Sequence, residues 1–420
     1  MAEGAKQLAA EQPPKKKRVI DPDSAAYKLG EITARNYEEV WEAKRNGEKI
    51  GWCSSNFPQE LHRTLDIKVC YPENQAVAIA VRGGGVRGCT EAEELGYSND
   101  ICAYARISMA YARHPKAPEQ DMPLPDFLLC CNNICNCMIK WYEDIARELD
   151  IPIIMIDIPF NHGYEADEEQ IAYVGGQFRA AIEQLEEITG KKWDEKRFEE
   201  VCQITNRSSR AMLKAASFLQ YQPAPLYGFD LFNHMGVLIT ALGAPGTPEA
   251  LELLCREYEQ LQKEGKSTFR AKEEHRIMYE GIACWPHLKF TSKSLISRGV
   301  NITATIYGIA VTHIYDDFDG MIASYFKIPG AMSLERSRDI RVQLCQEDHV
   351  EGLLVHTNRS CKLWSGFMPE MSRQIGQICD IPVASFDGDQ ADARNFSEAQ
   401  YETRVDALVE IMAEKKGETA

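Results

Sequence analysis

Hydrophobic positions along the chain follow two patterns: short apolar runs, and longer stretches in which apolar residues recur at helical spacing. The short runs are typical of buried strands, and the spaced stretches are typical of amphipathic helices. In the first part of the chain, the runs predict strands at 49–53, 67–71, 126–131 and 151–156. Helices are predicted over 24–47, near Pro58, after Pro72 and up to Leu149. Strands that alternate with helices at these distances indicate a parallel sheet covered by helices.

The strand signals fade between residues 165 and 272, where helical spacing takes over. Helices are predicted there at 177–189, 197–219, 228–242 and 248–263. From residue 277 the alternation returns, with strands at 277–284, 301–307, 351–356 and 381–386, and helices near 291–297, at 333–345, after Cys361 and from Ser397. The chain is therefore expected to be α/β, with two related Rossmann-like parallel-sheet domains and a helical domain between them. The expected boundaries are a disordered leader at 1–23, a first α/β domain at 24–164, a helical domain at 165–275 and a second α/β domain at 276–420.

The two predicted α/β domains share a weak internal echo. Residues 128–135, a helix, and residues 150–157 resemble residues 353–361, a helix, and residues 380–387. Both segments run strand, Asn-containing turn, Cys, helix, Asp-Ile-Pro, strand and Asp. Each domain would therefore place a cysteine at the carboxyl end of a strand, where open sheets bind ligands. A cluster of cysteines between the domains is expected.

The composition and the net charge indicate the general class of protein. A hydrophobic share of 44% and a charged share of 26% in 420 residues are those of a globular protein. The chain has no run of roughly 18 apolar residues that could span a bilayer and no apolar segment of the secretory type near its start, so a cytoplasmic location is expected. The net charge of −16 argues against nucleic-acid binding. The basic run at 13–19 resembles a nuclear-localisation signal, but a solvated tail is favoured.

Fourteen cysteines in a reducing compartment favour metal binding or chemistry over disulfides. The chain lacks the C-x₂-C pairs of zinc ribbons, the His-Glu-x-x-His motif and the nucleotide-binding P-loop, so no bound nucleotide is expected. Gly83-Gly-Gly-Val-Arg-Gly88 fits G-x-G-x-x-G formally, but a plain glycine loop is favoured because the preceding residues look helical. Any metal ligands must come from distant segments.

Three segments place a cysteine in a polar, turn-like setting: Cys102, the turn with Cys131 and Cys135, and Cys361. A cysteine such as Cys135 at a helix N-terminus is expected to be held as thiolate more easily than a free one. Three ligands rather than four would leave one metal position open for substrate. The alternative is that Cys130, Cys131, Cys135 and Cys137 are small core residues. The helical cysteines Cys202, Cys255 and Cys345 are expected in the core.

A set of longer motifs makes the sequence recognisable. They are Gly51-Trp-Cys-Ser-Ser-Asn-Phe-Pro-Gln-Glu60, Tyr71-Pro-Glu-Asn74, Asp100-Ile-Cys-Ala-Tyr-Ala-Arg106, Cys130-Cys-Asn-Asn-Ile-Cys135, Tyr227-Gly-Phe-Asp-Leu-Phe232, Asn358-Arg-Ser-Cys-Lys-Leu-Trp364 and Phe386-Asp-Gly-Asp-Gln-Ala-Asp392. Together they closely resemble the larger (α) subunit of the (R)-2-hydroxyacyl-CoA dehydratases. The sequence is most similar to the phenyllactoyl-CoA and 2-hydroxyisocaproyl-CoA enzymes of amino-acid-fermenting anaerobes, and the resemblance covers about residues 34–415.

This resemblance implies a cytoplasmic heterodimer with a smaller, homologous β subunit, in which each subunit holds one [4Fe-4S] cluster. A separate ATP-dependent iron–sulfur activator supplies one electron. The ligand positions of the α subunit match Cys102, Cys135 and Cys361, with the fourth iron open, and the family match chooses Cys135 over Cys131. The family's serine near the open iron matches Ser55, and its glutamate near the substrate matches Glu73.

The implied reaction removes water from a 2-hydroxyacyl-CoA to give the (E)-2-enoyl-CoA through a ketyl radical. The 3-proton must be lost although no neighbouring carbonyl acidifies it, which ordinary base catalysis cannot do readily. Ser55 is expected to bond the thioester oxygen, and Glu73 to handle the proton or the hydroxyl. Their structural alternatives are a turn residue and an acid at a helix N-terminus. A benzoyl-CoA reductase-type subunit and a non-catalytic electron-relay subunit are the alternative functions. The acyl group stays open between aryllactoyl, lactoyl and isocaproyl types.

Overall fold

The computed structural model of the chain describes residues 21–417. The basic run at 13–19 and most of the expected leader lie outside the described residues. None of the helices within 21–417 is long and apolar enough to cross a membrane.

The first half of the chain forms a four-stranded parallel sheet. Its strands are β1 (Gly51–Cys53), β2 (Val69–Cys70), β3 (Phe127–Cys131) and β4 (Ile153–Ile156), in the order β2-β1-β3-β4. The helices are α1 (Ala25–Arg45), α2 (Gln59–Thr64), α3 (Pro72–Val81), α4 (Gly85–Glu94), α5 (Ala103–Arg113) and α6 (Asn136–Leu149). All five residues of β3 are buried, as expected of a central parallel strand that is covered on both faces.

Four long helices follow the first sheet: α7 (Glu168–Thr189), α8 (Glu195–Ser217), α9 (Phe229–Ala241) and α10 (Thr247–Lys263). Val174 and Phe178 of α7 belong to a hydrophobic cluster with Phe127 and Leu129 of β3. Helices α8, α9 and α10 contribute to a separate cluster that includes Leu29 of α1. The helical segment therefore shares cores with the first half of the chain, and its status as a separate domain, with the boundaries at 164 and 275, stays a prediction.

The second half forms another four-stranded parallel sheet. Its strands are β5 (His275–Glu280), β6 (Val300–Ala304), β7 (Gly352–Asn358) and β8 (Val383–Gly388), in the order β6-β5-β7-β8. The helices are α11 (Leu288–Ser297), α12 (Phe318–Tyr325), α13 (Leu334–Glu347), α14 (Lys362–Cys379) and α15 (Glu398–Lys415).

The two sheets have the same strand order, counted from the start of each half. The helix after the third strand of each sheet, α6 or α14, ends at an aspartate in the left-handed region, Asp150 with φ 52° and Asp380 with φ 51°. The predicted α/β class with two parallel sheets is confirmed, and the internal echo marks the matching strand–turn–helix–strand units.

The glycine-rich stretch at 83–88 is not a plain loop, because Gly85 begins α4. A side chain at Gly85 would bring its Cβ within 2.1 Å of the Ala391 carbonyl oxygen, so glycine lets α4 approach the segment after β8. The residues before it form α3, as their helical appearance predicted. Helices α5 and α12 were not predicted. Every residue from Ala103 to Ala112 is buried, so α5 has no polar face that would reveal a helical period.

A buried ion pair joins the second sheet to the helices that cover it. Glu280, at the end of β5, accepts from the guanidinium of Arg341 on α13, with Oε1 3.0 Å from Nη2, and both side chains are almost fully buried. Arg341 Nη1 also donates to the carbonyl and the hydroxyl of Ser337. The guanidinium lies 5.5 Å from the ring centroid of Trp364 on α14. Arg341 therefore fixes α13 and α14 against the carboxyl end of β5.

Replacing Arg341 by Ala is expected to lower the free energy of unfolding by roughly 3–5 kcal/mol, because Glu280 would be left as a buried charge without its partner. Chemical denaturation followed by circular dichroism measures this change. Lys263→Ala is the control, since the pair of Lys263 with Glu259 is exposed to solvent and its loss should leave the midpoint almost unchanged. Equal midpoints for Arg341→Ala and the control would contradict the role of the buried pair.

Candidate active site

A cavity of about 690 Å³ lies where the carboxyl ends of the two sheets meet. Its lining includes the segments directly after seven of the eight strands, together with residues of α1 and α9. Representatives of the seven segments are Ser55, Glu73, Cys135, Ile282, Tyr307, Cys361 and Gln390. Carboxyl ends of parallel strands are the usual ligand-binding edge of open α/β sheets. The cavity is the candidate active site.

The three cysteines predicted as ligands all line this cavity. Each one is the N-cap residue of a helix: Cys102 of α5, Cys135 of α6 and Cys361 of α14. None of the three thiols caps its own helix by a side-chain hydrogen bond, and all three are partly exposed. Three helix N-termini therefore present uncapped thiols to one space.

The expectation that a helix N-terminus holds Cys135 as thiolate is wrong for the chain by itself. Burial raises the pKa of the Cys135 thiol to about 11 and that of Cys361 to about 12, and it raises the pKa of Cys102 as well. Backbone amides act in the opposite direction at Cys135 and Cys361, but the loss of hydration outweighs them. Negative charge on Cys135 would further raise the pKa of Cys361. A positively charged group in the cavity would reverse this balance.

Cys131 and Cys135 have different surroundings although they lie in one turn. Cys131 is fully buried in the core beneath the first sheet, and its thiol donates to Asn133 Oδ1 at 2.9 Å. Cys130 is also buried, so the alternative of small core residues holds for these two cysteines. Cys137 lines the cavity beside the three predicted positions and was not predicted as a ligand. Cys255 and Cys345 are in the core as expected, whereas Cys202 is only partly buried.

Within residues 21–417, no three Cys, His, Asp or Glu side chains lie close enough together to hold a single metal ion. The thiols that bind a [4Fe-4S] cluster are attached to different irons, so they stand apart around a cluster-sized space. Three uncapped thiols that line one cavity are a donor set of the kind such a cluster needs. Gln390 Nε2 lies 3.0 Å from Cys102 Sγ and supplies a donor to the sulfur.

Ser55 and Glu73 are neighbours at the same cavity. Ser55 lies in the turn after β1, and Glu73 lies in the first turn of α3. Glu73 Oε1 accepts from the Ser55 backbone amide at 3.0 Å, and Oε2 accepts from the Tyr142 hydroxyl at 3.2 Å. Glu73 is only 7% exposed, and burial raises the pKa of its carboxyl, while the bonds from Ser55 and Tyr142 lower it. A buried carboxyl with such opposing influences is typical of a group that exchanges protons.

Tyr142 was not predicted as a site residue. It lies on α6, 69 positions from Glu73 along the chain, and its aromatic ring fits the apolar face of an amphipathic helix. Tyr142 follows the N-cap Cys135 by seven residues, a spacing that places the two residues on the same face of the helix. That spacing was the available signal, although it also describes an ordinary core residue.

Two parallel sheets that open onto one cavity lined by thiols and a buried carboxyl define an α/β enzyme. The chain belongs to the 2-hydroxyglutaryl-CoA dehydratase, D-component family (HGD-D), whose match covers residues 54–412. The resemblance carried by the sequence motifs is thereby confirmed.

Three curated relatives are similar over almost the whole chain. The chain is 51% identical to the (R)-phenyllactyl-CoA dehydratase alpha subunit of Clostridium sporogenes, over 94% of this chain and 98% of that protein. It is 45% identical to the alpha subunit of the (R)-2-hydroxyglutaryl-CoA dehydratase of Acidaminococcus fermentans, over 93% and 98%. It is also 45% identical to the (R)-2-hydroxyisocaproyl-CoA dehydratase alpha subunit of Clostridioides difficile, over 92% and 96%. All three relatives are named as alpha subunits of dehydratases.

Proposed function

We propose that the chain is the catalytic α subunit of an (R)-2-hydroxyacyl-CoA dehydratase, a hydro-lyase that converts a 2-hydroxyacyl-CoA into the (E)-2-enoyl-CoA and water. The observation that carries this proposal is the convergence of three cysteine N-caps and a buried glutamate on one cavity. The family membership and the names of the relatives support the reaction class. A cytoplasmic location in an anaerobic bacterium is part of the same proposal.

In this proposal Cys102, Cys135 and Cys361 hold one [4Fe-4S] cluster with its fourth iron open. When bound, the cluster supplies a Lewis-acidic iron and one-electron chemistry, which together activate the 3-proton of the thioester. The Ser55 hydroxyl donates a hydrogen bond to the thioester oxygen. Glu73 exchanges the proton that leaves C3 or the proton that accompanies the hydroxyl from C2.

The partners are also proposed. A smaller, homologous β subunit completes the heterodimer, and a separate ATP-dependent iron–sulfur activator delivers the electron. The designation of the relatives as alpha subunits supports a second subunit. The absence of a P-loop motif from the sequence supports a separate source of the energised electron.

Replacing Cys102, Cys135 or Cys361 by Ala is expected to remove the iron and acid-labile sulfide of one cluster from the complex and to abolish turnover, because each thiol would be an iron ligand. Both contents are measured chemically after anaerobic purification. Cys131→Ala and Cys202→Ala are the controls, and both should keep the cluster. If Cys131→Ala lost the cluster while Cys135→Ala kept it, the assignment of the turn would be wrong.

Changing Glu73 to Gln is expected to lower turnover by roughly 10²–10⁴-fold, the range usual for a positioned acid–base group. The amide keeps the size of the side chain and its bond from the Ser55 amide, so iron content and heterodimer formation should not change. Tyr142→Phe is the milder companion variant. Loss of its hydrogen bond raises the pKa of Glu73, so the acid limb of the pH–rate profile should move to higher pH. Near-normal turnover by Glu73→Gln would return Glu73 to a structural role.

The isolated chain is expected to show no dehydratase activity under anoxic conditions, even with its cluster intact. Adding the β subunit, the activator, MgATP and a reductant should produce activity, with many turnovers for each electron because the electron is recovered at the end of the reaction. Enoyl-CoA formation is measured spectrophotometrically, with omission of ATP as the control. Turnover by the chain alone with a chemical reductant would refute both partner assignments.

A further inference from the structure

We infer that the cavity accepts a large, apolar acyl group, aromatic or branched, and that Gly236 on α9 is the position that makes room for it. This inference rests on the proposed function, since it names the substrate class of that same site. It is carried by the charges of the cavity, by its apolar wall and by the space in front of Gly236.

The cavity lining carries few charges. Among the described residues that line the cavity, Glu73 and Arg82 are the charged ones. Arg82 is exposed at the carboxyl end of α3, and its Nη1 donates to Gln120 Oε1 at 2.9 Å and to the Glu119 carbonyl. It follows Glu73 by nine residues, which is about 13 Å along a helix axis. Arg82 is therefore far from the reacting carbons if these lie beside Glu73.

This distribution of charge disfavours the binding of an acyl group that carries a second carboxylate. Its free carboxylate would lose its hydration near the reacting centre and find no cation there to pair with. Burying an unpaired charge is unfavourable. The nearest anionic group would be Glu73 itself. The cavity thus disfavours 2-hydroxyglutaryl-type substrates, although the relative from Acidaminococcus fermentans is named for that acyl group.

Helix α9 forms a largely apolar part of the cavity wall. Phe232, Gly236 and Ile239 of α9 line the cavity at spacings of four and three residues, so they share one helix face. Further apolar side chains line the cavity, among them Met235, Ile282, Trp285, Leu288 and Trp364, and the neutral polar side chains of Asn74 and Asn233 lie among them. The transfer of an aromatic or branched acyl group from water onto such an apolar surface is favourable. A lactoyl methyl group would cover little of it.

Gly236 lies in the interior of α9. A glycine inside a helix costs about 1 kcal/mol relative to alanine, so it needs an explanation. At Gly228, just before α9, a Cβ would lie 2.0 Å from the Ile302 carbonyl oxygen, which accounts for that glycine. At Gly236 a Cβ would meet only Asn74 Nδ2, at 3.9 Å, and the backbone there is ordinary helix. Backbone packing does not require Gly236, so the space that it leaves belongs to the cavity.

The test uses the reconstituted complex with its activator and four substrates: the CoA thioesters of (R)-phenyllactate, (R)-2-hydroxyisocaproate, (R)-lactate and (R)-2-hydroxyglutarate. For the unmodified complex, kcat/KM should be at least about tenfold higher for the first two than for the last two, since one or more methylenes in an apolar pocket are worth 10–200-fold. In Gly236→Leu the ratio of kcat/KM for phenyllactoyl-CoA to that for lactoyl-CoA should fall by at least about tenfold.

Gly176→Leu is the matched control. Gly176 is an exposed glycine of α7 with open space around a Cβ, and its replacement should leave the ratio unchanged.

The ratio does not depend on how much of a variant folds. Gly236→Ala, which adds one methyl group, should move the ratio in the same direction as Gly236→Leu. Preference of the unmodified complex for lactoyl-CoA or 2-hydroxyglutaryl-CoA, or an unchanged ratio in both Gly236 variants, would overturn the inference while the dehydratase proposal stands. Failure to dehydrate any of the four thioesters would overturn both.

Discussion

The geometry of parallel strands is the constraint on which the candidate site depends. All strands of a parallel sheet end at the same edge, and the helix that returns from each strand begins there, so helix N-termini gather at one place. In this chain two sheets with the same strand order present those edges to a common cavity. Cys135 and Cys361 occupy matching positions after the third strand of each sheet, and both are N-caps. Two of the three proposed ligands thus follow from the repeat, whereas Cys102 precedes a helix that lies between β2 and β3.

The position of Cys102 is fixed by contacts that cross between the two halves. The amide of Ala103 donates to Ser360 Oγ at 3.1 Å, next to Cys361 in the chain. One helical turn further along α5, the fully buried Arg106 pairs with Asp392 of the second half at 3.1 Å and with Glu93 of α4. A buried arginine with two acidic partners holds α5 in one place, because any displacement would leave a charge unpaired. The third thiol therefore depends on interactions between the halves rather than on either sheet alone.

The sequence predicted those features that are local and missed those that depend on tertiary contacts. Strand β3 was predicted because its apolar run is continuous, and the cysteine turns because polar residues interrupt the apolar pattern there. Helix α5 was missed because burial on all sides removes its periodicity. The partnership of Tyr142 with Glu73 spans 69 positions, and no local pattern encodes it. The ligand choice at the 131–135 turn needed the family resemblance. In the structure, Cys131 lies in the core and Cys135 lines the cavity. The alternation of side chains along β3 could not predict this difference, because the turn between the two cysteines is irregular.

One physical property of the cavity connects its several roles. Its apolar walls exclude water, which raises the pKa of the three thiols and of Glu73 alike. A cation in the cavity would offset the missing hydration of the thiols and lower their pKa. Glu73 is buried like them, and the Ser55 amide and the Tyr142 hydroxyl donate hydrogen bonds to its two oxygens, which opposes the effect of burial on its pKa. The same dry surroundings disfavour an acyl group that carries a charge. The lining of the cavity therefore bears both on the pKa of Glu73 and on the acyl group that we infer.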